Sequence, residues 1–358
     1  MDSIIKNAIK AQNNLKWDNI NTVPAIIKVI GCGGGGNNIA DWLYHKGLKG
    51  AEIVSINTDK VQLDAREADR KILIGKETTK GLGAGGYPKV GEEAAKESLQ
   101  EIKEALKGTD MVFVCAGLGG GTGSGAAPII AKVAKEMGAI VIGTVTMPFK
   151  IEKARIEKAE IALQKLREVS DTVIVIDNER LVEIAGDLPL RQAFGVANEL
   201  IATMIKGIVE TIAVPSLVNL DFADVKAIMS NGGVSVIGVG ESRSESSRVD
   251  EAVKRALTNP LLDVTYQGAT GALIHISGGE DLTLDEVNRV GELVTQSLDT
   301  DATVIWGARI EEGMEGKLRV MTIITGVKSP YIIGPITEQA SKEEASRLSS
   351  ELGIEMLH

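Results

Sequence analysis

A run of six glycines within nine residues, from Gly117 to Gly125, is the feature that most constrains how this chain can fold. It follows the apolar run Met111–Cys115 and precedes a helical pattern at 126–137. Glycines between a strand and a helix let backbone N–H groups converge on an anion, because no side chain blocks the approach. Thr122 and Ser124 add hydroxyl donors, and no Lys stands where a P-loop requires one. The pattern predicts a phosphate-binding loop in an α/β domain.

Two further glycine-rich loops stand in the same kind of position. The first follows an apolar run and opens a helical pattern, and Gly31, Gly33 and Gly36 match G-x-G-x-x-G, a dinucleotide-binding fingerprint, with Asp59 as its acid. A tight turn with close helix–strand packing would use the same glycines. The other loop, Gly81–Pro88, also separates a strand from a helix. Because the carboxyl ends of parallel strands meet at one edge, the three loops predict a polyphosphate cradle made of backbone amides.

Short apolar runs alternate with helical patterns from residue 25 onward, which predicts a parallel sheet with helices on both faces. Strands are expected at 26–30, 52–56, 71–74, 111–115, 140–145 and 172–176, and helices near 37–48, 88–107, 124–137 and 152–169. A nearly continuous apolar stretch predicts a buried helix over 189–214, between two domains. Beyond it, helices at 223–230, 247–258 and 283–298 are mixed with strands at 234–239, 271–277, 302–310 and 318–326. We expect the last two strands to be antiparallel, joined through 311–313.

These elements together define an α/β fold class. The N-terminal part is expected to be a doubly wound, mostly parallel, Rossmann-like sheet, followed by the long central helix. The C-terminal part is expected to be a smaller α/β domain with a mixed four-stranded sheet. Cys32 and Cys115 each end a strand and enter a glycine loop, so we expect them on neighbouring strands with both thiols beneath the cradle.

Composition excludes several classes of protein. Hydrophobic residues make up 44% and charged residues 25%, as in an ordinary globular chain. A net charge of −10 disfavours binding to nucleic acid or to an anionic membrane. Two cysteines and three scattered histidines provide neither a disulfide framework nor a metal site. No stretch reaches the ~18–20 apolar residues of a membrane span, and no signal peptide is recognisable, so we expect a cytoplasmic protein without membrane insertion.

Three segments in collinear order point to a known family. The segment Gly119–Gly125, Gly-Gly-Gly-Thr-Gly-Ser-Gly, looks like the tubulin signature. With Asn57-Thr58-Asp59 and residues 219–225, Asn-Leu-Asp-Phe-Ala-Asp-Val, the chain resembles the FtsZ family, prokaryotic tubulin homologues that are cell-division GTPases. The implied domains are an N-terminal helix and linker (1–24), a GTP-binding domain (25–188), the central helix (189–214), a C-terminal activation domain (215–328) and a tail (329–358).

The resemblance also implies which residues hold the nucleotide. In this family the glycine loops bind the GTP phosphates, polar side chains read the guanine, and an aromatic ring stacks on it. A carboxylate can accept both the N1–H and the exocyclic amine of guanine, which adenine cannot offer. The matching positions and their loop neighbours are Gly33, Gly34, Gly35, Asn37, Asn38, Asp59, Gly83, Ala84, Gly85, Gly117, Gly119, Gly120, Gly121, Thr122, Gly123, Pro148, Glu152, Arg155, Asn178, Phe194 and Glu199.

Two of these positions depart from the family pattern. Glu199 stands where the family usually has Asp, which moves the carboxylate by one methylene. Glu152 and Arg155 are three residues apart, whereas the family has a Gly between them and a spacing of four. Either the loop absorbs the deletion or Arg155 points away from the ribose and phosphate.

Asn219, Asp221 and Asp224 are the candidate catalytic residues, and the two acids have two interpretations. By spacing alone, Asp221 could cap a helix that begins near residue 222, with Asp224 as a favourable acid in its first turn. The resemblance implies instead that these carboxylates reach the nucleotide of the next subunit and orient water for attack on the γ-phosphate. A site completed by a neighbour implies head-to-tail contacts, which generate filaments.

The same resemblance implies cofactors, partners and location. GTP and GDP are the expected nucleotides, with Mg²⁺ held mainly by the phosphates and K⁺ as a second candidate cation. The expected partner is the chain itself, in a homopolymer at the mid-cell division site. Membrane-tethering division proteins are expected to bind the tail, in which Leu348 and Leu352 share a helix face. The absence of a long polar linker favours an archaeal-type member.

Two other functions remain open from the residues alone. The G-x-G-x-x-G match and Asp59 would also suit an NAD- or FAD-dependent oxidoreductase. The two additional glycine loops and the lack of a catalytic His or Cys constellation argue against that function. A non-catalytic scaffold that keeps the fold and polymerises weakly would differ from a GTPase in turnover alone.

Overall fold

The fold is taken from a computed structural model that describes residues 25–213, 222–231, 235–244, 246–258, 266, 269–296, 298–327 and 332–333. The predicted N-terminal helix and linker (1–24) and the tail helix that carries Leu348 and Leu352 lie outside the described residues. In the described part of the chain, no helix is long and apolar enough to cross a membrane.

Strands and helices alternate through the first half of the chain, as the sequence pattern predicts. The strands are β1 (Ile27–Cys32), β2 (Ala51–Asn57), β3 (Arg70–Leu73), β4 (Met111–Gly117), β5 (Ile140–Met147), β6 (Thr172–Asp177), β7 (Ser235–Ser242), β8 (Ala269–Gly278), β9 (Leu298–Ile310), β10 (Leu318–Thr325) and β11 (Ile332–Ile333). The helices are α1 (Gly33–His45), α2 (Lys60–Asp64), α3 (Lys76–Thr79), α4 (Pro88–Glu97), α5 (Leu99–Leu106), α6 (Thr122–Glu136), α7 (Ala154–Val169), α8 (Asn178–Ala185), α9 (Leu190–Ala213), α10 (Phe222–Asn231), α11 (Arg248–Leu257) and α12 (Leu284–Thr295).

The first sheet has the order β11-β6-β5-β4-β1-β2-β3, in which β1 to β6 are parallel. Its central strands are apolar at almost every position because both faces are covered by helices. Val29 packs on the α1 and α9 side, whereas Ile30 packs on the α4 to α7 side. The predicted doubly wound sheet is therefore confirmed. β11 joins the edge antiparallel to β6, which the sequence pattern does not predict.

One predicted helix is divided in two. The pattern at 88–107 folds as α4 and α5, which meet at Ser98. The Ser98 hydroxyl accepts a hydrogen bond from the backbone N–H of Gly75 at 3.0 Å. The break therefore positions a polar side chain against the chain that follows β3.

The long helix α9 lies between the two sheets. At its last residue, Ala213 contacts Gly50, which precedes β2 in the first sheet. Two residues earlier, the Thr211 hydroxyl lies 3.7 Å from Met321 Sδ on β10 of the second sheet. Apolar residues of both sheets pack against α9, which explains why the helix is apolar around most of its circumference. The prediction of a buried helix between two domains is confirmed.

The second sheet is mixed and four-stranded, with the order β7-β10-β8-β9. β10 is antiparallel to β7 and β8, and β8 is parallel to β9. The predicted last two strands do run antiparallel, but they are not paired, because β8 lies between them. The burial pattern explains this order: β10 is almost entirely buried, as a central strand must be, whereas β9 is largely exposed along one edge. Residues 311–317 are therefore not a simple hairpin loop.

Candidate functional site

The three glycine loops meet at the carboxyl edge of the first sheet. The first loop follows β1 (Gly31–Gly36), the second follows β4 (Gly117–Gly125), and the third precedes α4 (Gly81–Pro88). The second loop, which follows β4, contacts both of the others. A Cβ added to Gly33 would lie 2.8 Å from the Gly123 nitrogen, and one added to Gly121 would lie 2.7 Å from the Ala84 Cβ. These distances are shorter than real Cβ contacts, so the loops can approach each other only because the positions are glycine. The predicted convergence is confirmed for the described loops.

The glycines of these loops fall into two classes. A Cβ on Gly36 would overlap the Cys115 carbonyl oxygen, and one on Gly123 would lie 2.6 Å from the Gly117 oxygen, so these glycines are required for packing. Gly34 and Gly120 are different. The atom nearest to a Cβ on Gly34 is the Gln62 Oε1 at 3.9 Å, and a Cβ on Gly120 would have no neighbour within 4 Å. These two glycines face an open cradle that a side chain would fill.

Two helices begin at this cradle with their N-terminal amides uncapped. α1 follows Cys32 and α6 follows Gly121, and no side chain caps either helix. Neither first turn contains an acidic residue. The first N–H groups of a helix have no partner within it, and the helix dipole favours negative charge there. The cradle is therefore suited to bind an anion with several oxygens, such as a phosphate chain.

Buried polar side chains fix the shape of the cradle from behind. The Asn37 Nδ2 donates to the Gly31 oxygen at 3.0 Å and its Oδ1 accepts from Asn57 Nδ2 at 2.9 Å. The Thr58 and Thr122 hydroxyls lie 2.6 Å apart. Asn37 is 1% exposed, so it supports the loop from the protein side.

Asp59 lies between the first and third loops and caps a helix. Its Oδ1 accepts from the Gln62 backbone N–H at 3.0 Å, at the start of α2. A Cβ on Gly83 would lie 3.6 Å from the Asp59 Cβ. In the third loop, the glycines at 81, 83, 85 and 86 have positive φ angles, a backbone conformation that no other residue adopts so readily.

Arg155 lies beside the second loop despite the shortened spacing to Glu152. A Cβ on Gly119 would lie 2.9 Å from the Arg155 Cβ and 3.3 Å from the Pro148 Cγ. The Arg155 guanidinium donates to Glu152 Oε2 at 2.6 Å, and Glu152 Oε1 accepts from the Phe149 N–H at 3.1 Å. Lys153, between them, has a φ of 27°. The chain turns at this positive-φ residue, and α7 begins directly after it.

An aromatic pair marks one end of the candidate site. Phe194, in the first turns of α9, is 40% exposed. Its ring lies 5.9 Å from that of Phe149 in an edge-to-face arrangement, at an interplanar angle of 73°. Both rings line an apolar cavity of about 190 Å³. Asn178 begins α8, and Asn38 lies in the second turn of α1, both partly exposed.

Glu199 is one turn of α9 beyond Gly195 and is hydrogen-bonded to α1. Its Oε2 accepts from Trp42 Nε1 at 2.8 Å, and its Oε1 accepts from Lys46 Nζ. Burial raises the pKa of Glu199, but the hydrogen bonds from Lys46 and Trp42 outweigh it and hold the pKa below its usual value. Sequence reasoning missed Trp42 and Lys46. Asn38, Trp42 and Lys46 follow one another at intervals of four, which would have placed all three on one face of α1.

The third loop has a cation that the sequence reasoning also missed. Lys158 on α7 donates from Nζ to the Gly86 oxygen at 2.9 Å. The same ammonium lies 5.4 Å from the centroid of the Tyr87 ring. A single lysine thus holds the end of the loop that faces the second loop.

Of the three candidate catalytic residues, the structure describes Asp224, which follows the central helix in the chain. α9 has 24 residues, which corresponds to about 36 Å at 1.5 Å per residue. Within it, Phe194 lies near the carboxyl edge, and Ala213, about 28 Å further along the helix, contacts Gly50 before β2 at the amino edge. Asp224 is half-buried in the first turn of α10, the next described helix. Asn219 and Asp221 lie outside the described residues.

The two cysteines lie on neighbouring strands, as predicted, because β1 pairs with β4. Their thiols, however, are buried on opposite faces of the sheet, since Cys115 is opposite Gly31 rather than Cys32. The expectation that both thiols lie beneath the cradle is therefore wrong. Burial raises the pKa of each thiol to about 12, which makes both unreactive.

Comparison with known proteins matches the two sheets separately. Residues 26–186 match the model of the Tubulin/FtsZ family, GTPase domain, and residues 233–328 match that of the FtsZ family, C-terminal domain. Cell division protein FtsZ 2 of Methanocaldococcus jannaschii is 53% identical over 358 residues, covering 98% of this chain and 94% of that protein. Cell division protein FtsZ 2 of Halobacterium salinarum is 52% identical over 322 residues, covering 90% of this chain and 82% of that protein.

Solved structures give the same result. A structure described as "FtsZ dimer, empty", from M. jannaschii, superimposes with a TM-score of 0.77 at 51% identity, covering 90% of this chain and 91% of that one. A GTPγS-bound protofilament of CetZ2 from Haloferax volcanii has a TM-score of 0.72 at 24% identity, covering 92% of this chain and 99% of that one. The second likeness concerns the fold alone.

Proposed function

The chain belongs to the FtsZ family of tubulin-like cell-division GTPases, and from this premise we propose that it hydrolyses GTP within head-to-tail filaments at the division site. The observation that carries the proposal is the open cradle at Gly34 and Gly120, beside two uncapped helix N-termini. Backbone amides there would bind the phosphate chain without a P-loop lysine. Family membership favours GTP over the NAD or FAD that the glycine fingerprint alone would allow.

We further propose that the base lies at the α1 and α9 end of the cradle. Phe194 is exposed enough to stack on a purine ring and is held by Phe149. Asn38, Asn178 and Glu199 would supply the polar contacts to guanine. Arg155, already paired with Glu152, lies beside the second loop, where it would contact ribose or phosphate.

Hydrolysis requires groups that one chain does not bring together. Asp224 comes after α9 in the chain, and Phe194 and the last residue of α9, Ala213, lie about 28 Å apart along that helix. A neighbouring subunit stacked head to tail would bring Asn219, Asp221 and Asp224 to the γ-phosphate. The carboxylates would there orient the attacking water and accept its proton, while the amides of the cradle stabilise the charge on the phosphate oxygens.

Cations complete the proposed site. The described residues contain no group of three or more His, Cys, Asp or Glu side chains that could hold a metal ion. Mg²⁺ would therefore be held mainly by the phosphates, where it would neutralise charge, and K⁺ is a second candidate.

Exposed apolar side chains around the cradle support contact with another subunit. Val61, Leu82, Tyr87 and Ile151 are 78%, 83%, 64% and 85% exposed, and each lies next to a glycine loop or just beyond β5. Large apolar side chains grouped on a surface are typical of interaction sites. The partner we propose is a second copy of the chain, and membrane-tethering division proteins would bind the tail, which lies outside the described residues.

GTP turnover measured against protein concentration, with sedimentation in parallel, tests the proposal. Specific activity should be near zero for the monomer and should rise together with the sedimented fraction, because the neighbour supplies the acids. Turnover that is independent of concentration would refute the shared site. Absence of GTP binding would refute the proposed function as a whole.

A further inference from the structure

Two rows of residues face each other where α1 packs on α9. Asn38, Trp42 and Lys46 follow at intervals of four along α1 and its C-terminal cap, so they share one face. Gly195, Glu199 and Thr203 form a matching row on α9. The edge of the Trp42 ring would lie 3.4 Å from a Cβ on Gly195. The indole therefore packs over Gly195 and reaches Glu199 one turn further along α9.

The Glu199 carboxylate is bonded at both oxygens. Trp42 Nε1 donates to Oε2 at 2.8 Å, Lys46 Nζ donates to Oε1, and the Thr203 hydroxyl lies 3.4 Å from Oε1. Lys46 is itself fixed, because its ammonium also donates to the Thr203 hydroxyl at 2.7 Å. The donors hold a side chain that is one methylene longer than Asp in a single position.

The bonded carboxylate still has capacity for a ligand. A carboxylate has about four lone-pair sites, and strong donors use only one on each oxygen here. Half of the Glu199 side chain is exposed, so a ligand can reach it. The hydrogen bonds from Lys46 and Trp42 also hold the pKa of Glu199 below its usual value, which favours the ionised form that accepts two N–H groups.

We propose that Trp42 and Lys46 are positioning residues that orient Glu199 to accept the N1–H and 2-amino groups of guanine. The assignment rests on the proposed GTP binding. Without the two donors, the longer side chain would lose rotamer freedom on binding the base, and that entropy cost would reduce the preference for guanine. Trp42 and Lys46 therefore determine specificity without contacting the nucleotide themselves.

A purely structural role is the competing explanation, and the chain provides a control for it. Lys206 on α9 donates from Nζ to the Lys46 oxygen at 3.1 Å and pairs with Glu210 at 3.6 Å. It ties the same two helices together without contacting Glu199. Lys206→Met should therefore weaken the attachment of α1 to α9, as loss of Trp42 or Lys46 would, but leave Glu199 in position to bind guanine.

The test compares the affinities for GTP, ITP and ATP, because ITP lacks only the 2-amino group. Trp42→Phe keeps the ring but removes the donor, and Lys46→Met removes the charge. Each should weaken GTP more than ITP, which keeps the N1–H, so the GTP-to-ITP affinity ratio should fall by about tenfold, the size expected for one hydrogen bond to a charged group. The affinity for ATP, which offers neither group, should change little. Lys46→Arg should retain the GTP-to-ITP affinity ratio. Lys206→Met should lower thermal stability without changing that ratio.

The outcomes separate the two claims. If Trp42→Phe and Lys46→Met lower thermal stability but leave the GTP-to-ITP ratio at the wild-type value, the residues are a structural tie and the assignment is wrong. If the wild-type chain binds none of the three nucleotides, the proposed function is wrong and this assignment fails with it. A reduced ratio in both variants, with no change in Lys206→Met, supports the positioning role.

Discussion

Substituting the glycines of the cradle one at a time should separate ligand binding from folding. Gly34→Ala and Gly120→Ala add a methyl group to open space, whereas Gly36→Ala forces one onto the Cys115 carbonyl oxygen. Neither Gly34 nor Gly120 has a positive φ, so alanine can adopt the backbone conformation at both positions. The three variants carry the same chemical change and differ only in what the methyl group meets.

The expected free energies have opposite signs. Gly34→Ala should raise the free energy of unfolding by about 0.5 kcal/mol, because alanine loses less backbone entropy in α1. Its methyl group should displace a phosphate oxygen from a backbone amide and cost about 1.5–3 kcal/mol of binding. GTP affinity should then fall about 10- to 100-fold. Gly36→Ala should instead lower the free energy of unfolding by about 1–3 kcal/mol, because α1 and β4 must separate.

Urea unfolding without nucleotide and titration with GTP measure the two quantities independently. The assignment of the phosphates to the cradle is supported if Gly34→Ala and Gly120→Ala unfold at the same urea concentration as the wild type, or at a higher one, and bind GTP weakly. If Gly34→Ala is as unstable as Gly36→Ala, the position is a packing glycine. If it is stable and binds GTP normally, the phosphates do not lie there.

Three further outcomes are expected. Asp224→Asn should bind GTP and sediment with it but lose most turnover, because the carboxylate acts in the transition state. Normal turnover per folded molecule would mean that Asp224 serves only as a favourable acid in the first turn of α10. Lys158→Met should raise the KM for GTP severalfold by loosening the third loop, whereas Lys165→Met on the same helix, which pairs with Glu92, should not. Equal effects of the two substitutions would contradict a specific loop contact. His275 is buried and its pKa is lowered to about 3 by burial and by Arg309 and Arg319, so the unfolded chain takes up a proton below pH 6.5 that the folded chain does not. Stability should therefore fall by about 1.4 kcal/mol per pH unit from this group, or about 2 kcal/mol at pH 5, and His275→Gln should remove that slope in urea unfolding at pH 7 and pH 5.

Backbone features of the fold and site were predictable from the sequence because they depend on local patterns. Continuous apolar runs such as Met111–Cys115 mark strands covered on both faces, and glycine runs after them mark loops without side chains. Strand pairing in the second sheet was less predictable. The short link at 311–317 suggested a hairpin, but the insertion of β8 depends on burial across the whole sheet.

Side-chain partners at the site could not be derived from spacing alone. Glu199 was identified by resemblance. Its bonds to Trp42 and Lys46, which are 157 and 153 residues away in sequence, depend on how α1 and α9 pack together. The shortened Glu152–Arg155 loop left two alternatives open, and the structure places Arg155 beside Gly119 with its guanidinium paired to Glu152. The assignment of nucleotide contacts to individual residues stays a prediction.

The return of the chain to the first sheet at β11 has a mechanical consequence. Ile332 pairs with Ile174 and Ile333 with Val173, after the whole second sheet has been completed. Tension applied to the chain beyond Ile333 would therefore enter the nucleotide-binding sheet directly, by way of its β6 edge. A ladder of two antiparallel residues offers few hydrogen bonds to share the load. Such a junction would yield first, and the domains on either side of α9 would stay folded when the tail is pulled.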